Sequence, residues 1–506
     1  MERRNFIQQF GLITGGSLLF PDYLNAIPVG KGESWVRHIS SGIESPDVIF
    51  PKEKRIPLGW KAFPVSSDGN SSILHFSKPE LKSQHIWLRL TAAIDFREEI
   101  TISAFLSGTG IEIGQFDIRF AHPFQPFQIA VNPEFIDDIV LHGIGLRMTK
   151  GKKDVWFFKP DAILTDNLGL QPHLLIGKNK HPEIAFRENL LSMNSFAPFG
   201  WIGGCVIDAL WEMSKEGNEQ ALLNLKKQLG LFLNEEKGII FENPMTEPKN
   251  GSFNSIEDFL PFAAIAGLYP KHPAVQMAID FLKTKENSDG IIAGGNDITT
   301  EGCYTVAYPL ATIAVIRNNR DLAQTALKQL LFRIDYLSND TTIFQRSSLN
   351  GSQTYANWGR GVAWYLLGMV KTLHVLKESP FYELNEIEKV QIKFQDAIKL
   401  VSQWQNPDGL WCSFIDRPET GIDTSASAGI ATAITWGIQL GLIDKSKMKM
   451  ARKTSKSLTN YLTPDGFLTH ISQINRGGEQ LQASGYRVIS QFGMGLFAQL
   501  QCQLSQ

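Results

Sequence analysis

Two hydrophobic rhythms divide this chain. From about Asp47 to Asp166, apolar and polar residues alternate with period two in short runs, among them 72–76, 85–90, 99–106, 114–120 and 153–158. Turn residues punctuate these runs at the spacing of an antiparallel sandwich. After Pro182 the apolar positions recur at helical spacing and continue so to the end. That spacing predicts helices over 182–193, 201–215, 218–233, 256–268, 273–285, 303–317, 321–337, 358–376, 384–405, 424–440, 446–462 and 486–501. The helices starting near Trp201, Ile256, Cys303, Trp358, Thr424 and Tyr486 are apolar nearly all round, whereas their partners carry a Lys/Glu/Gln face. Fully apolar helices are buried and amphipathic ones face water.

Six inner and six outer helices make an (α/α)6 barrel, and the inner starts recur as a weak internal repeat. The expected organisation is a β-sandwich over 40–167, a linker over 168–183 and the barrel over 184–506. His122 and His142 are expected on sheet faces, and the β region is expected to be architectural, with sugar binding left open.

The N-terminus has its own pattern. Arg3-Arg4-Asn5-Phe6-Ile7 precedes a Gly-containing apolar run from Phe10 to Phe20, which is similar to a twin-arginine export signal over 1–26 ending near Ala26. Export, with a periplasmic destination, is the expectation. No later run of about 18 apolar residues predicts a membrane span.

Composition narrows the function. A net charge of −2 over 506 residues, without a dense basic face, argues against nucleic acid. Cys205, Cys303, Cys412 and Cys502 are far apart and form no Cys/His cluster, so neither a disulfide framework, a metal site nor a cofactor is expected.

The chemistry gathers at the six inner starts. In such a barrel the inner helices run roughly parallel, and their N-termini, each with unpaired N–H groups and partial positive charge, ring one mouth. That mouth favours an anionic ligand, and uronic acids are sugars of that kind. Trp358, Arg360 and Trp364 at the fourth start combine aromatic platforms with a guanidinium. Trp201, Ser425 and Arg487, at three others, are further candidates for substrate contact. Glycosidic chemistry asks for a carboxyl acid and usually a second carboxylate. Glu257, Asp258, Glu301 and Asp423 sit at inner starts, and each could equally cap its helix. Tyr304 and Trp411 fit subsite walls or core packing.

Three motifs, in order, give the helical region a family likeness. Gly200-Trp201-Ile-Gly-Gly-Cys-Val-Ile-Asp is like an opening Trp-Gly-x-Gly-Val motif, and Asn357-Trp358-Gly-Arg360-Gly-Val-Ala-Trp364 is like a Trp-x-Arg-Gly-x-Gly-Trp signature. Gln405-Asn-Pro-Asp-Gly-Leu-Trp411 through Asp423-Thr424-Ser425-Ala426-Ser427-Ala428 follows Gln-x-x-Asp-Gly-Leu-Trp and Glu-Thr-Ser-Ala-Ser-Ala. From Trp201 onward the chain resembles glycoside hydrolase families 88 and 105, the unsaturated glucuronyl and rhamnogalacturonyl hydrolases. The N-terminal β region has no counterpart in their minimal members.

That resemblance implies two catalytic carboxylates at the positions of Glu257 and Glu301, where the families carry aspartates, and Gln345 near the place of a frequent histidine. It implies Glu301 as general acid/base and Glu257 as the second carboxylate. Arg360 would hold the uronate carboxylate, and Trp358, Trp364, Tyr304 and Trp411 would be stacking walls. The expected function is removal of a terminal uronic acid, saturated or unsaturated, from oligosaccharides of an acidic polysaccharide. Two other readings are a uronide-binding barrel without catalysis and a polysaccharide lyase.

Overall fold

The computed structural model describes residues 35–160 and 167–505. The proposed export signal lies outside the described residues. No helix among those described is long and apolar enough to cross a membrane.

The N-terminal region is β-rich. One antiparallel sheet orders its strands Gly42–Glu44, Ser72–His75, Ile144–Lys150, Glu99–Leu106 and Glu112–Arg119. A second orders Trp35–Ile39, His173–Gly177, Ile86–Thr91 and Pro126–Ala130. Period-two alternation is realised over 115–118, where Phe116 and Ile118 are buried and Gln115 and Asp117 are exposed. The stretch read as a linker is corrected here. His173–Gly177 is an interior strand, pairing with Trp35–Ile39 on one side and Ile86–Thr91 on the other. All five of its residues are buried, because both faces of this strand are covered, and such a strand shows a continuous run in place of alternation. Among the described residues the β region therefore runs from Trp35 to Gly177. His122 is likewise buried at the contact with the helical region, against Ser490, and His142 ends a short helix, Ile136–His142.

The remainder is helical. Six apolar helices, Trp201–Lys215, Phe262–Leu268, Tyr308–Arg317, Gly359–Lys377, Thr424–Gln439 and Gln491–Leu504, each touch the next, and the last touches the first. The more polar helices pack outside, as Met448–Leu458 does on Thr424–Gln439. Two predicted starts keep their place but change form, and one shifts. The second begins as a 3-10 turn, Ile256–Phe259, and the third as a π turn, Cys303–Ala307. The sixth begins at Gln491 rather than Tyr486, because Arg487–Val488 pairs as a strand with Ile471–Ser472. Two small three-stranded sheets also interrupt the loops.

The two regions share one apolar core and a buried ionic joint. Arg89, on the Ile86–Thr91 strand, meets Asp465 at 2.6 Å, and Arg37 meets the same carboxylate at 2.9 Å. Burial works against the charge on Asp465, but Arg89 and Arg37 hold its carboxyl well below the usual carboxylate range. Arg89 and Asp465 are wholly enclosed, so removing the carboxylate leaves the Arg89 charge buried without a counter-charge. Asp465→Asn should cost about 3–5 kcal/mol in urea unfolding at neutral pH. Because the folded-state pKa is depressed, the difference from the wild type should be full above pH about 4 and shrink as pH falls further.

Candidate active site

Glu301 stands on a small sheet at the mouth. Asp297–Thr299 pairs with Phe344–Ser348, which pairs with Gln353–Ala356. The Thr300 N–H donates to the Gln345 carbonyl at 2.9 Å and so locks the loop to the middle strand. The Gln345 side chain then donates to both carboxylate oxygens of Glu301, at 3.0 and 2.9 Å. Immediately after Glu301 the backbone takes the π turn Cys303–Ala307, a form often found where a helix serves a functional site. Gly302 makes room beneath it: a Cβ there would collide with the Arg333 guanidinium. That guanidinium is buried and ties together the carbonyls of Thr299, Gln329 and Ile292.

Glu257 reaches the same place from the neighbouring start. Its turn is closed by a capping box in which Ser255 and Asp258 satisfy each other's backbone ends. Asp258 accepts the N–H groups of Asn254 and Ser255 at 2.6 and 3.0 Å, so it is a cap. Asp423 caps too, accepting from Ser425 and Ala426. Glu257 has no such partner and is half-buried, while Glu301 is 6% exposed.

The two carboxyls perturb one another. Burial and then the negative charge of Glu301 push Glu257 up to about 7. Burial also raises Glu301, but the Gln345 amide opposes that shift by donating to the ionised form. A half-open carboxyl that keeps its proton near neutrality therefore sits beside a buried one held as an acceptor, the environment in which acid and base roles separate.

The aromatic and arginine candidates divide into floor and structure. Trp201 is half-buried, 5.8 Å from Trp364 and 5.1 Å from Phe492 between ring centroids. Trp364 stacks on Tyr304 at 5.7 Å, and both are buried. Trp358 is buried with its indole N–H on Gln482. Trp411 is fully enclosed and donates to the Val401 carbonyl, so the expected stacking wall is a core residue.

Arg360 also departs from its expected task. Its terminal nitrogens donate to the Ser472 and Gln473 carbonyls at 2.6 and 2.7 Å, and it lies over Trp358. It is 1% exposed, which makes it a buttress of the 472–473 segment rather than an open grip for a carboxylate. Ser425 donates to Asp423 at 2.6 Å and is buried in the cap. Arg487 spends its donors on the carbonyls of Thr420, Gly421, Ile422 and Tyr486.

Further residues complete the rim. Arg346 follows Gln345 on the middle strand, opposite Thr299, and its charge acts on both glutamates. Tyr355, half-buried with φ +56°, donates to the Asn475 carbonyl at 3.1 Å. Next to Asn475, the Arg476 charge acts on Glu257. No motif marks Arg346 or Arg476, because pairing of distant loops brings them to the glutamates. Among the described residues, no cluster of three or more His, Cys, Asp or Glu side chains could hold a metal ion.

The family profile described as Glycosyl Hydrolase Family 88 matches residues 184–505. The chain is 24% identical over 194 residues to an unsaturated rhamnogalacturonyl hydrolase of Bacillus subtilis, spanning 36% of this chain and 53% of that protein. It is 29% identical over 147 residues to an unsaturated 3S-rhamnoglycuronyl hydrolase of Formosa agariphila, spanning 28% of this chain and 36% of that protein. A family 105 glycoside hydrolase structure from C. acetobutylicum superposes with a TM-score of 0.55 at 16% identity, covering 65% of this chain and 99% of that one.

The support beneath Glu301 can be tested without substrate. Gly302→Ala should force Arg333 aside and lower stability by about 1–3 kcal/mol, read from the shift in urea midpoint.

Proposed function

This chain belongs to glycosyl hydrolase family 88. From that premise we propose that it removes an unsaturated uronic acid from the end of an acidic oligosaccharide, with Glu257 and Glu301 as the catalytic pair. The observation that carries this reading is the division between the carboxyls: Glu257 retains a proton to about pH 7, and Glu301 accepts from Gln345. The names of the two relatives, both acting on unsaturated uronyl sugars, support the substrate class. The β region is read as a sandwich, and the closed cycle of helices as an (α/α)6 barrel, supported by the family 105 likeness.

An unsaturated uronide carries a C4=C5 vinyl ether. A proton placed on C4 leaves positive charge at C5 and the ring oxygen. Water then adds to C5 and gives up a proton; collapse of the resulting hemiketal breaks the bond from C5 to the ring oxygen and opens the ring, and the hemiacetal so formed at C1 expels the neighbouring sugar as its alcohol, leaving an aldehyde. Glu257 is the donor suited to the first step, because it is protonated and half-open. Glu301, as carboxylate, stabilises the cation and takes the proton of water. This reverses the roles expected from family resemblance, because Gln345 favours the ion at Glu301. Trp201 offers the open aromatic face to the sugar, above the Trp364–Tyr304 stack. Arg346 is the guanidinium for the uronate carboxylate, since Arg360 is buried with both terminal nitrogens on backbone carbonyls. Export through the Arg3-Arg4 signal to the periplasm remains part of this proposal.

Hydrolysis of an unsaturated disaccharide should abolish its alkene absorbance, whereas a saturated uronide would give no such loss. Glu257→Gln and Glu301→Gln should each reduce kcat by about 10²-fold or more. Full activity of both variants would sink the assignment. Activity should also decline as pH rises through about 7, where Glu257 loses its proton, and that limb should disappear in Glu257→Gln.

A further inference from the structure

The β region reaches the rim of this site. Its Lys54 binds Asp95 at 2.5 Å and donates to the Met245 carbonyl at 2.6 Å. Thr246 donates to the same Asp95 at 2.9 Å, and Arg55 binds Glu242 at 2.5 Å. These bonds dock the β region onto the turn between Gly238–Glu242 and Pro248–Asn250, shortly before Glu257 in the chain.

Across the mouth, the Asn475–Gly477 turn is held from both sides. Tyr355 donates to Asn475, and Gly477 lies so close to Phe120 of the β region that a Cβ would crowd its ring. Gln473 donates to the Arg119 carbonyl at 2.8 Å, and the Tyr486 hydroxyl accepts the Arg119 N–H at 3.2 Å.

Two arginines with unused donors face this junction. Arg97 binds Asp95 through Nε at 2.6 Å, and its terminal nitrogens have no partner among the described residues. Arg476 is exposed and makes no hydrogen bond or ion pair among the described residues. Phe120, which crowds Gly477, donates its N–H to the Glu98 carbonyl at 3.2 Å, and Phe96 donates to the Ala121 carbonyl at 3.0 Å, so the residues flanking Arg97 are tied to the strand end that lies against the turn carrying Arg476. Asp95 is already taken up by Lys54, Arg97 and Thr246. The open valence of the rim is thus cationic, and it is shared between the two regions.

We propose that Arg97 and Arg476 form a second anion subsite, built jointly by the β and helical regions, for a sulfate ester or carboxylate on the sugar next to the cleaved uronate. This rests on the proposed function and adds the neighbouring sugar to it. Guanidinium groups suit either anion, because their planar donor fork matches two oxygens. The β region would then act in selection of substrate as well as in architecture.

Calorimetric binding to the full-length Glu257→Gln chain tests the subsite apart from turnover. Three unsaturated disaccharides serve, with a neutral, a sulfated or a uronic second sugar. The chain should bind at least one anionic disaccharide about tenfold more tightly than the neutral one, and the preferred one names the anion. Adding Arg97→Ala or Arg476→Ala should each bring that ratio towards one, and Arg97→Lys should restore part of it. No preference, or a preference that survives both substitutions, overturns the subsite, and failure of all three to bind overturns it as well. Alkene loss with the wild-type chain is measured separately. Its absence alongside a retained preference would sink the proposed reaction and leave the subsite standing.

Discussion

Six helices without a polar face impose the constraint on which this structure depends. A helix that is apolar all round must find neighbours on every side, and a row leaves two unburied at its ends. A closed cycle leaves none, and here the Gln491–Leu504 helix packs back on Trp201–Lys215. Closure brings the loops before the helices into mutual reach. Gly359 therefore donates to the Ser413 carbonyl, Thr424 to the His470 carbonyl, and Arg360 spans to Ser472 and Gln473. Polar chemistry expelled from the walls collects at that end.

One group of charges stays inside the cycle. Lys371 of the Gly359–Lys377 helix binds Asp208 and Glu212 of Trp201–Lys215, and Asp208 also accepts from Tyr304 and Tyr308. Burial raises Glu212, against the pull of Lys371. Such a cluster contributes little net stability compared with apolar packing, yet losing one member is costly, so it enforces a particular mutual placement of helices. The placement matters because Tyr304 lies on the π turn that follows Glu301 and stacks under Trp364. A displacement of the Lys371 helix would reach the site through that ring.

Helix character was legible because it is local. Uniform apolarity marked the inner helices, and Trp201–Lys215 has the bounds its spacing predicts. What failed was set by distant pairing. His173–Gly177 lacks alternation because both its faces are covered, and the Tyr486 start was displaced by a two-residue pairing with Ile471–Ser472. At the site, Glu257 and Glu301 were legible from their places before helices, but a sequence does not say which donors a side chain has already spent. Arg360 reads as a ligand grip and serves two carbonyls, while Arg346 and Arg476 carry no motif and stand nearer the carboxylates in effect. Folding hides the first and assembles the others.

The glutamates themselves pose a geometric question, since each is one methylene longer than the aspartate of the resembled pattern. Extra length at a fixed backbone would carry both carboxyls outward, toward or past the sugar. At Glu301 that length is used sideways: the carboxylate is anchored by both oxygens to the Gln345 amide and remains 6% exposed. Glu257 keeps its reach, because Asp258, the next residue, supplies the cap that would otherwise compete for a carboxylate. The amide then has a chemical consequence beyond length. An imidazole at that place could trade a proton with its carboxylate near neutral pH, whereas an amide can only donate hydrogen bonds to the ion or accept one. Replacing a titrating neighbour by a fixed one leaves the exchangeable proton on Glu257, which is the carboxyl nearer open space.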